Sequence, residues 1–189
     1  MKKLLLPVIL SAVLLAFPAC GTAEEPPFSD NTVKTGFDMD RIRKNIVVRG
    51  EHFEIPIKLN ELSDGLTFEI WDEDPFEGRT AADIFRNGGE LCTVGIMNCY
   101  AGAEGESEIY YISLNDSECS ADGIVPLITT KQEVLDKYGE PGYKAEDEVS
   151  CIFYYSEKKN ITPLDGLSGK TAAITFENDK VSVVSITYV

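Results

Sequence analysis

The sequence is poor in the residues on which most catalytic and metal sites depend. Only one of its 189 residues, His52, is a histidine, and 17 basic residues stand against 32 acidic ones, for a formal charge of −15 at pH 7. A single histidine leaves almost no material for the usual catalytic triads and zinc sites. An acidic chain also lacks the positive field that binds nucleic-acid phosphates. We therefore expect no enzyme activity, metal site, cofactor or nucleic-acid partner.

Long apolar runs are also missing, except near the N-terminus. Lys2 and Lys3 precede an apolar segment at residues 4–17, and these 14 residues are too few to cross a bilayer as a helix. A short positive region followed by such a segment is typical of a signal peptide. The segment is followed by Ala19 and Cys20, then a glycine.

This junction resembles the lipobox of bacterial lipoproteins, in which the cysteine is acylated and the chain is cleaved before it. We expect residues 1–19 to be a signal peptide and Cys20 to be lipidated. The lipid would anchor the protein to the extracytoplasmic face of the cell membrane. An ordinary secretory signal cleaved near Ala19 is the alternative. Cleavage before Cys20 removes Lys2 and Lys3, so the charge changes from −15 to −17.

The residues after Cys20 predict a tether rather than a folded element. Residues 21–36 are polar, contain prolines and show no hydrophobic periodicity. We assign residues 20–44 to the lipidated cysteine and a flexible tether.

From residue 45 onward, short alternating runs predict an α+β fold with a mostly antiparallel sheet and few short helices. A first hairpin is predicted around Arg49-Gly50. The clearest helix follows Thr130, which forms a capping box with Glu133 and precedes the helix stop at Gly139. Further strands are predicted over residues 66–70, 81–85, 91–97, 107–114, 149–155, 172–176 and 181–188.

A faint internal repeat divides this part into two related α/β modules in tandem, at residues 45–118 and 119–189. Each module would consist of a short helix followed by an antiparallel meander. Chance similarity between such short segments is the alternative.

The second module resembles a known group of proteins. The resemblance rests on the segment TTKQEVLDKYGEP at residues 129–141 and on the positions Ile174, Phe176, Lys180, Val181 and Ile186. These features are similar to those of uncharacterised Gram-positive envelope lipoproteins with tandem modules of the SmpA/OmlA and β-lactamase-inhibitor-protein kind. The resemblance covers residues 123–189 well and residues 46–114 loosely. It implies a binding role and no catalytic residues.

Besides Cys20, the chain has four cysteines, an even number in a compartment that permits disulfides. Their places along the predicted strands favour the pairs Cys92–Cys119 and Cys99–Cys151. Four reduced, partly buried thiols are the alternative.

Four aromatic residues, Trp71, Tyr110, Tyr154 and Tyr155, are predicted on strand faces that a single core cannot all absorb. Of these, Trp71, Tyr110 and Tyr154 are the candidate partner-binding residues. Aromatic side chains of this kind are enriched at recognition surfaces, although burial between sheet and helices would also explain them. We expect a non-enzymatic interaction module that binds an unknown envelope or extracellular protein.

The alternative function is a lipoprotein that binds a small ligand or a divalent cation. Asp72, Glu73, Asp74 and Glu77 form an acidic run whose carboxylates suit a hard cation.

Overall fold

The computed structural model describes residues 36–72, 75–147, 150–158 and 169–189. The predicted signal peptide, Cys20, most of the predicted tether, Glu73 and Asp74 lie outside these residues. Within the described ranges, no helix has the length and apolar character needed to cross a bilayer.

The described chain is mainly antiparallel strand. Its helices are α1 (Met39–Lys44) and α2 (Lys131–Tyr138), with short 3-10 helices at Leu59–Glu61, Phe76–Gly78 and Glu104–Glu106. The strands are β1 (Ile46–Val48), β2 (Glu51–Phe53), β3 (Ile57–Lys58), β4 (Leu66–Ile70), β5 (Thr80–Arg86), β6 (Gly89–Met97), β7 (Glu108–Leu114), β8 (Cys119–Ala121), β9 (Tyr143–Glu146), β10 (Cys151–Ser156), β11 (Thr171–Glu177) and β12 (Lys180–Thr187). The predicted α+β class, mostly antiparallel with few short helices, is confirmed.

The larger sheet is built around one central pair of strands. Its order is β4-β5-β6-β7-β12-β11-β10-β9, and β3 adds to β7 outside this path. Strands β7 and β12 pair antiparallel, with Ile112 opposite Ile186 and Leu114 opposite Val184. Three further strands extend on each side of this pair, so each member of the pair ends a four-stranded meander. The predicted strand at residues 107–114 is central, as expected.

A smaller sheet joins residues from the two predicted modules. Its order is β2-β1-β8, so the predicted hairpin at Arg49-Gly50 is confirmed and gains a third strand. Val48 lies opposite Cys119, and Ile46 lies opposite Ala121. The predicted boundary at residues 118 and 119 thus falls at a strand that pairs with the first half of the chain.

The core lies on one face of the larger sheet. Buried residues alternate along its strands and belong to the same hydrophobic cluster as residues from α1, α2 and the smaller sheet. This cluster includes, from the larger sheet, Ile84, Val94, Ile112, Phe153, Ile174 and Ile186, and, from the covering layer, Met39, Ile42, Ile46, Val48, Val134 and Tyr138. Burying one sheet face under a layer of short elements leaves the other face available.

Helix α1 corrects the predicted extent of the tether. The Asp38 side chain caps this helix by accepting a hydrogen bond of 3.0 Å from the Arg41 amide. Met39 and Ile42 are buried in the core. The folded part therefore begins before residue 45, and residues 39–44 are not a flexible tether. The helix has only six residues, too few to display a clear hydrophobic stripe.

Helix α2 forms as the sequence predicts. The Thr130 hydroxyl accepts a hydrogen bond from the Glu133 amide, and the Glu133 carboxylate accepts one of 2.7 Å from the Thr130 amide. Gly139 ends the helix with φ 79°, a left-handed value that favours glycine. Val134 and Tyr138 are buried.

Asp122 ties the two helices to the turn after β8. Its Oδ2 accepts hydrogen bonds of 3.0 Å from both Arg41 Nε and the Tyr138 hydroxyl, and lies 3.3 Å from Lys137 Nζ. The Asp122 side chain is 10% exposed. A buried carboxylate with three donors stabilises the fold mainly because it gives those donors an acceptor in place of the water that they lose on folding.

We predict that Asp122→Ala lowers the free energy of unfolding by about 2 kcal/mol, because the buried Tyr138 hydroxyl loses its acceptor. Urea denaturation of the purified chain measures this. Asp136→Ala is the matched control, since Asp136 is exposed and only accepts a bond from Gln132 within α2. The prediction fails if both variants lose the same small amount.

Candidate functional site

The candidate site is the sheet face opposite the core, here called the outer face. Its register rows include Glu69–Asp83–Thr93 across β4, β5 and β6. A second row, Ser113–Ser185–Ala173–Tyr154–Tyr143, crosses β7, β12, β11, β10 and β9. These side chains are exposed or half-buried. At one end of the face, a row of Ser156, Thr171 and Thr187 is buried.

Trp71 projects from the outer face just after β4. Its indole Nε1 donates a hydrogen bond of 2.9 Å to Asp83 Oδ2, and Thr93 Oγ1 donates one of 2.6 Å to Asp83 Oδ1. The Trp71 amide also bonds to the Ala81 carbonyl at 3.0 Å. The side chain nevertheless remains 65% exposed. A large exposed aromatic that is already held in place has less entropy to lose when it binds.

Tyr110 lies on the same face at a β-bulge. Strands β6 and β7 shift register between Gly95 and Ile96, so Tyr110 and Tyr111 both face Gly95. A Cβ at Gly95 would lie 3.0 Å from Tyr111 Cβ and 3.4 Å from Tyr110 Cε1, so glycine leaves room for the Tyr110 ring and for Cβ of Tyr111. The Arg79 guanidinium lies 5.4 Å from the centre of the Tyr110 ring, a cation–π distance.

Tyr154 occupies the outer face on the other side of the sheet. Its ring centre lies 5.8 Å from that of Tyr143. Partial burial, and to a lesser degree the neighbouring Tyr143, raises the pKa of the Tyr154 hydroxyl. The hydroxyl therefore stays protonated at neutral pH and is available as a hydrogen-bond donor.

Of the four aromatic residues predicted from the sequence, Tyr155 is buried in the core. The other three share the outer face but do not converge. Trp71 follows β4, Tyr110 is on β7 and Tyr154 is on β10. Three strand spacings separate β4 from β7, and three separate β7 from β10. At about 4.8 Å per strand, each interval is about 14 Å, and the whole span is about 29 Å. Such a surface suits a macromolecule better than a small ligand.

Two residues of this face were missed by sequence reasoning. Arg79 carries no signal of its own, because its contact with Tyr110 depends on the pairing of β5, β6 and β7. Gly95 does carry one, since an isolated glycine within a strand pattern indicates a bulge or a close approach.

The cysteine pairing is partly corrected. Cys92, Cys99, Cys119 and Cys151 are all free thiols in the structure. The pair Cys99–Cys151 is wrong. Cys99 follows the end of β6 that faces Glu108, whereas Cys151 begins β10 opposite Phe176, at the other end of the sheet. Four strand spacings, about 19 Å, also separate β6 from β10. A disulfide requires Cα atoms within about 7 Å.

Cys92 and Cys119, by contrast, line one cavity of about 460 Å³. The β6–β7 ladder ends at the pair Val94–Ile112, although β6 begins at Gly89 and β7 continues to Leu114. The cavity lies between these strand ends, which no longer pair with each other, and the Val48–Arg49 corner of the smaller sheet.

The thiols in this cavity are not activated. Burial, followed by the charge of the neighbouring Cys119, raises the pKa of Cys92 to about 12. Burial also raises the pKa of Cys119, although a hydrogen bond from the Arg49 backbone partly opposes this. Both groups are therefore protonated at neutral pH, and the reactive thiolate is scarce.

The residues of the acidic run that the structure describes do not form a metal site. Glu73 and Asp74 lie outside the described residues, and Glu77 is exposed with φ 58°. Within the ranges that the structure covers, no group of three histidine, cysteine, aspartate or glutamate side chains is arranged to hold a metal ion. His52 is exposed on β2, opposite Val47.

Comparison with known proteins gives no match, whether to family models, to curated protein sequences or to solved structures. The assignment of function therefore depends on the geometry described above and on the residues of the sequence.

We predict that alkylation of Cys92 in the folded protein accelerates about tenfold per pH unit between pH 8 and pH 10, because the thiolate fraction rises in that proportion well below a pKa of about 12. Iodoacetamide labelling followed by mass spectrometry of the Cys92 peptide measures the rate. In the urea-unfolded control, where the thiol pKa is about 8.5, the rate should level off above about pH 9.5. A similar plateau in the folded protein would contradict the prediction.

Proposed function

We propose that this protein is an extracytoplasmic, membrane-anchored lipoprotein that acts as a non-enzymatic protein-interaction module of the cell envelope. The binding surface is the outer face, and the lipid anchor is Cys20. The observation that carries the proposal is Trp71, which is 65% exposed yet fixed by hydrogen bonds through Asp83 and Thr93.

The composition of the outer face supports this role. Tryptophan, tyrosine and arginine are the residues most enriched in interaction hot spots, and Trp71, Arg79 and Tyr110 lie on this face. Tyr110 is held between Arg79 and Gly95, so its ring is also placed before any partner arrives. Pre-placed aromatic anchors contribute affinity without a further ordering cost.

The dimensions of the face also support a protein partner. The span of about 29 Å between Trp71 and Tyr154 is comparable to the width of a standard interface, which buries about 800 Å² on each partner. A partner on the outer face would cover strands from both sides of the central β7–β12 pair. Both halves of the chain would then contribute to one binding surface.

The symmetric strand order supports a finer part of the proposal, namely that the two meanders are related modules of the SmpA/OmlA-like kind. Strands β4 to β7 follow a 3-10 helix at Leu59–Glu61, and strands β9 to β12 follow α2. The last strands of the two meanders pair with each other. Two copies of one unit, joined through their final strands, would produce this order.

The main test uses Trp71→Ala. We expect this variant to melt within about 2 °C of the wild type, since removing an exposed side chain changes stability little. It should lose most of the partner that the wild type retains when both are crosslinked in intact cells and recovered from the membrane fraction. Quantitative mass spectrometry of the captured proteins measures the loss.

Ile128→Ala is the matched control. Ile128 is 58% exposed, close to the value for Trp71, but it lies in the loop before α2 rather than on the outer face. This variant should keep the partner. The proposal fails if Trp71→Ala captures the same proteins as the control, or if the wild type is absent from the membrane fraction.

A further inference from the structure

Two cysteines from different sheets line the same cavity. Cys92 is on β6 of the larger sheet, and Cys119 begins β8 of the smaller sheet. Both contribute to the cavity of about 460 Å³ where β6 and β7 separate from each other. We propose that Cys92 and Cys119 form a disulfide under oxidising conditions, and that this bond fastens the smaller sheet to the larger one.

Arg49 holds the two cysteine-bearing segments side by side. Its Nη1 donates a hydrogen bond of 3.1 Å to the Glu90 carbonyl, two residues before Cys92. Its backbone amide donates one of 3.0 Å to the Glu118 carbonyl, the residue before Cys119. Its Nη2 also donates to Asp116 Oδ2 at 3.0 Å. One arginine thus connects the two cysteine-bearing segments across the cavity that Cys92 and Cys119 line.

The pairing is specific to these two residues among the four described cysteines. Cys99 contacts the Asp72 carbonyl at the opposite end of β6, and Cys151 lies at the start of β10. Neither lines the cavity that Cys92 and Cys119 share. An oxidant that enters the cavity therefore meets one dithiol.

The oxidant would be a low-molecular-weight disulfide, R–S–S–R. A thiolate of the pair attacks one of its sulfurs, forming a mixed disulfide and releasing one R–SH after protonation. The second cysteine then loses its proton and attacks the sulfur of the first, which releases the other R–SH. The pair is oxidised by two electrons, the reagent is reduced by two, and each thiol proton ends on one R–SH.

The bond would act on the cavity itself. Cys92 sits where β6 has left the β7 ladder, and Cys119 sits opposite Val48 in the smaller sheet. Linking them would limit any movement of the β1–β2 hairpin away from the larger sheet.

The experiment treats the purified full-length chain with oxidised glutathione at pH 8.5, followed by acid quenching, alkylation of the remaining thiols and peptide mass spectrometry without reduction. We expect a linked peptide pair containing Cys92 and Cys119, the joint loss of these two free thiols, and no glutathione retained on either. Cys119→Ala should abolish the linked pair. Cys151→Ala is the matched control, because Cys151 and Cys119 are both 6% exposed, and it should keep the pair.

The wild-type result alone decides the proposal, so it does not depend on how the variants fold. Recovery of Cys92 and Cys119 only as free thiols after prolonged treatment would overturn it. Separate glutathione adducts on the two residues, or a link from either one to another cysteine, would overturn it as well.

Discussion

The pairing of β7 with β12 is the interaction on which the rest of the structure depends. Each four-stranded meander ends in one of these strands, and Ile112 and Ile186 lie opposite each other in the buried layer. The pair makes one continuous sheet from two halves of the chain. Because that sheet is continuous, the core beneath it and the outer face above it both extend across the two halves.

The core elements cover only one side of this sheet, so the outer face is the side on which a partner can bind. Helices α1 and α2 and the smaller sheet contribute to the core, and Asp122 connects them through Arg41, Lys137 and Tyr138. The other side retains exposed and half-buried polar and aromatic residues. Trp71 lies on this side, and its indole N–H donates a hydrogen bond to Asp83 at the surface. Its ring is thereby fixed on the surface, where a partner can contact it.

Local signals in the sequence predicted local structure well and long-range structure less well. Thr130, Glu133 and Gly139 mark the limits of α2 within a few residues, so this helix was predicted correctly. Strands β8 and β9 have three and four residues, too few for an alternating pattern to stand out. The pairing Cys99–Cys151 failed because it depends on the strand order, which places β7, β12 and β11 between the two strands concerned. The face shared by Trp71, Tyr110 and Tyr154 also required that order, together with the bulge at Gly95.

If a protein partner covers the outer face, the environment of Trp71 changes on binding, and its fluorescence reports that change. Trp71 is the only tryptophan in the chain. Replacing it with a tryptophan analogue that absorbs at longer wavelength, such as 5-hydroxytryptophan, separates its emission from that of a partner. We expect the emission maximum to shift to shorter wavelength, and acrylamide quenching to fall, when the protein is isolated in its crosslinked envelope complex rather than alone. An unchanged maximum and unchanged quenching in that complex would contradict it.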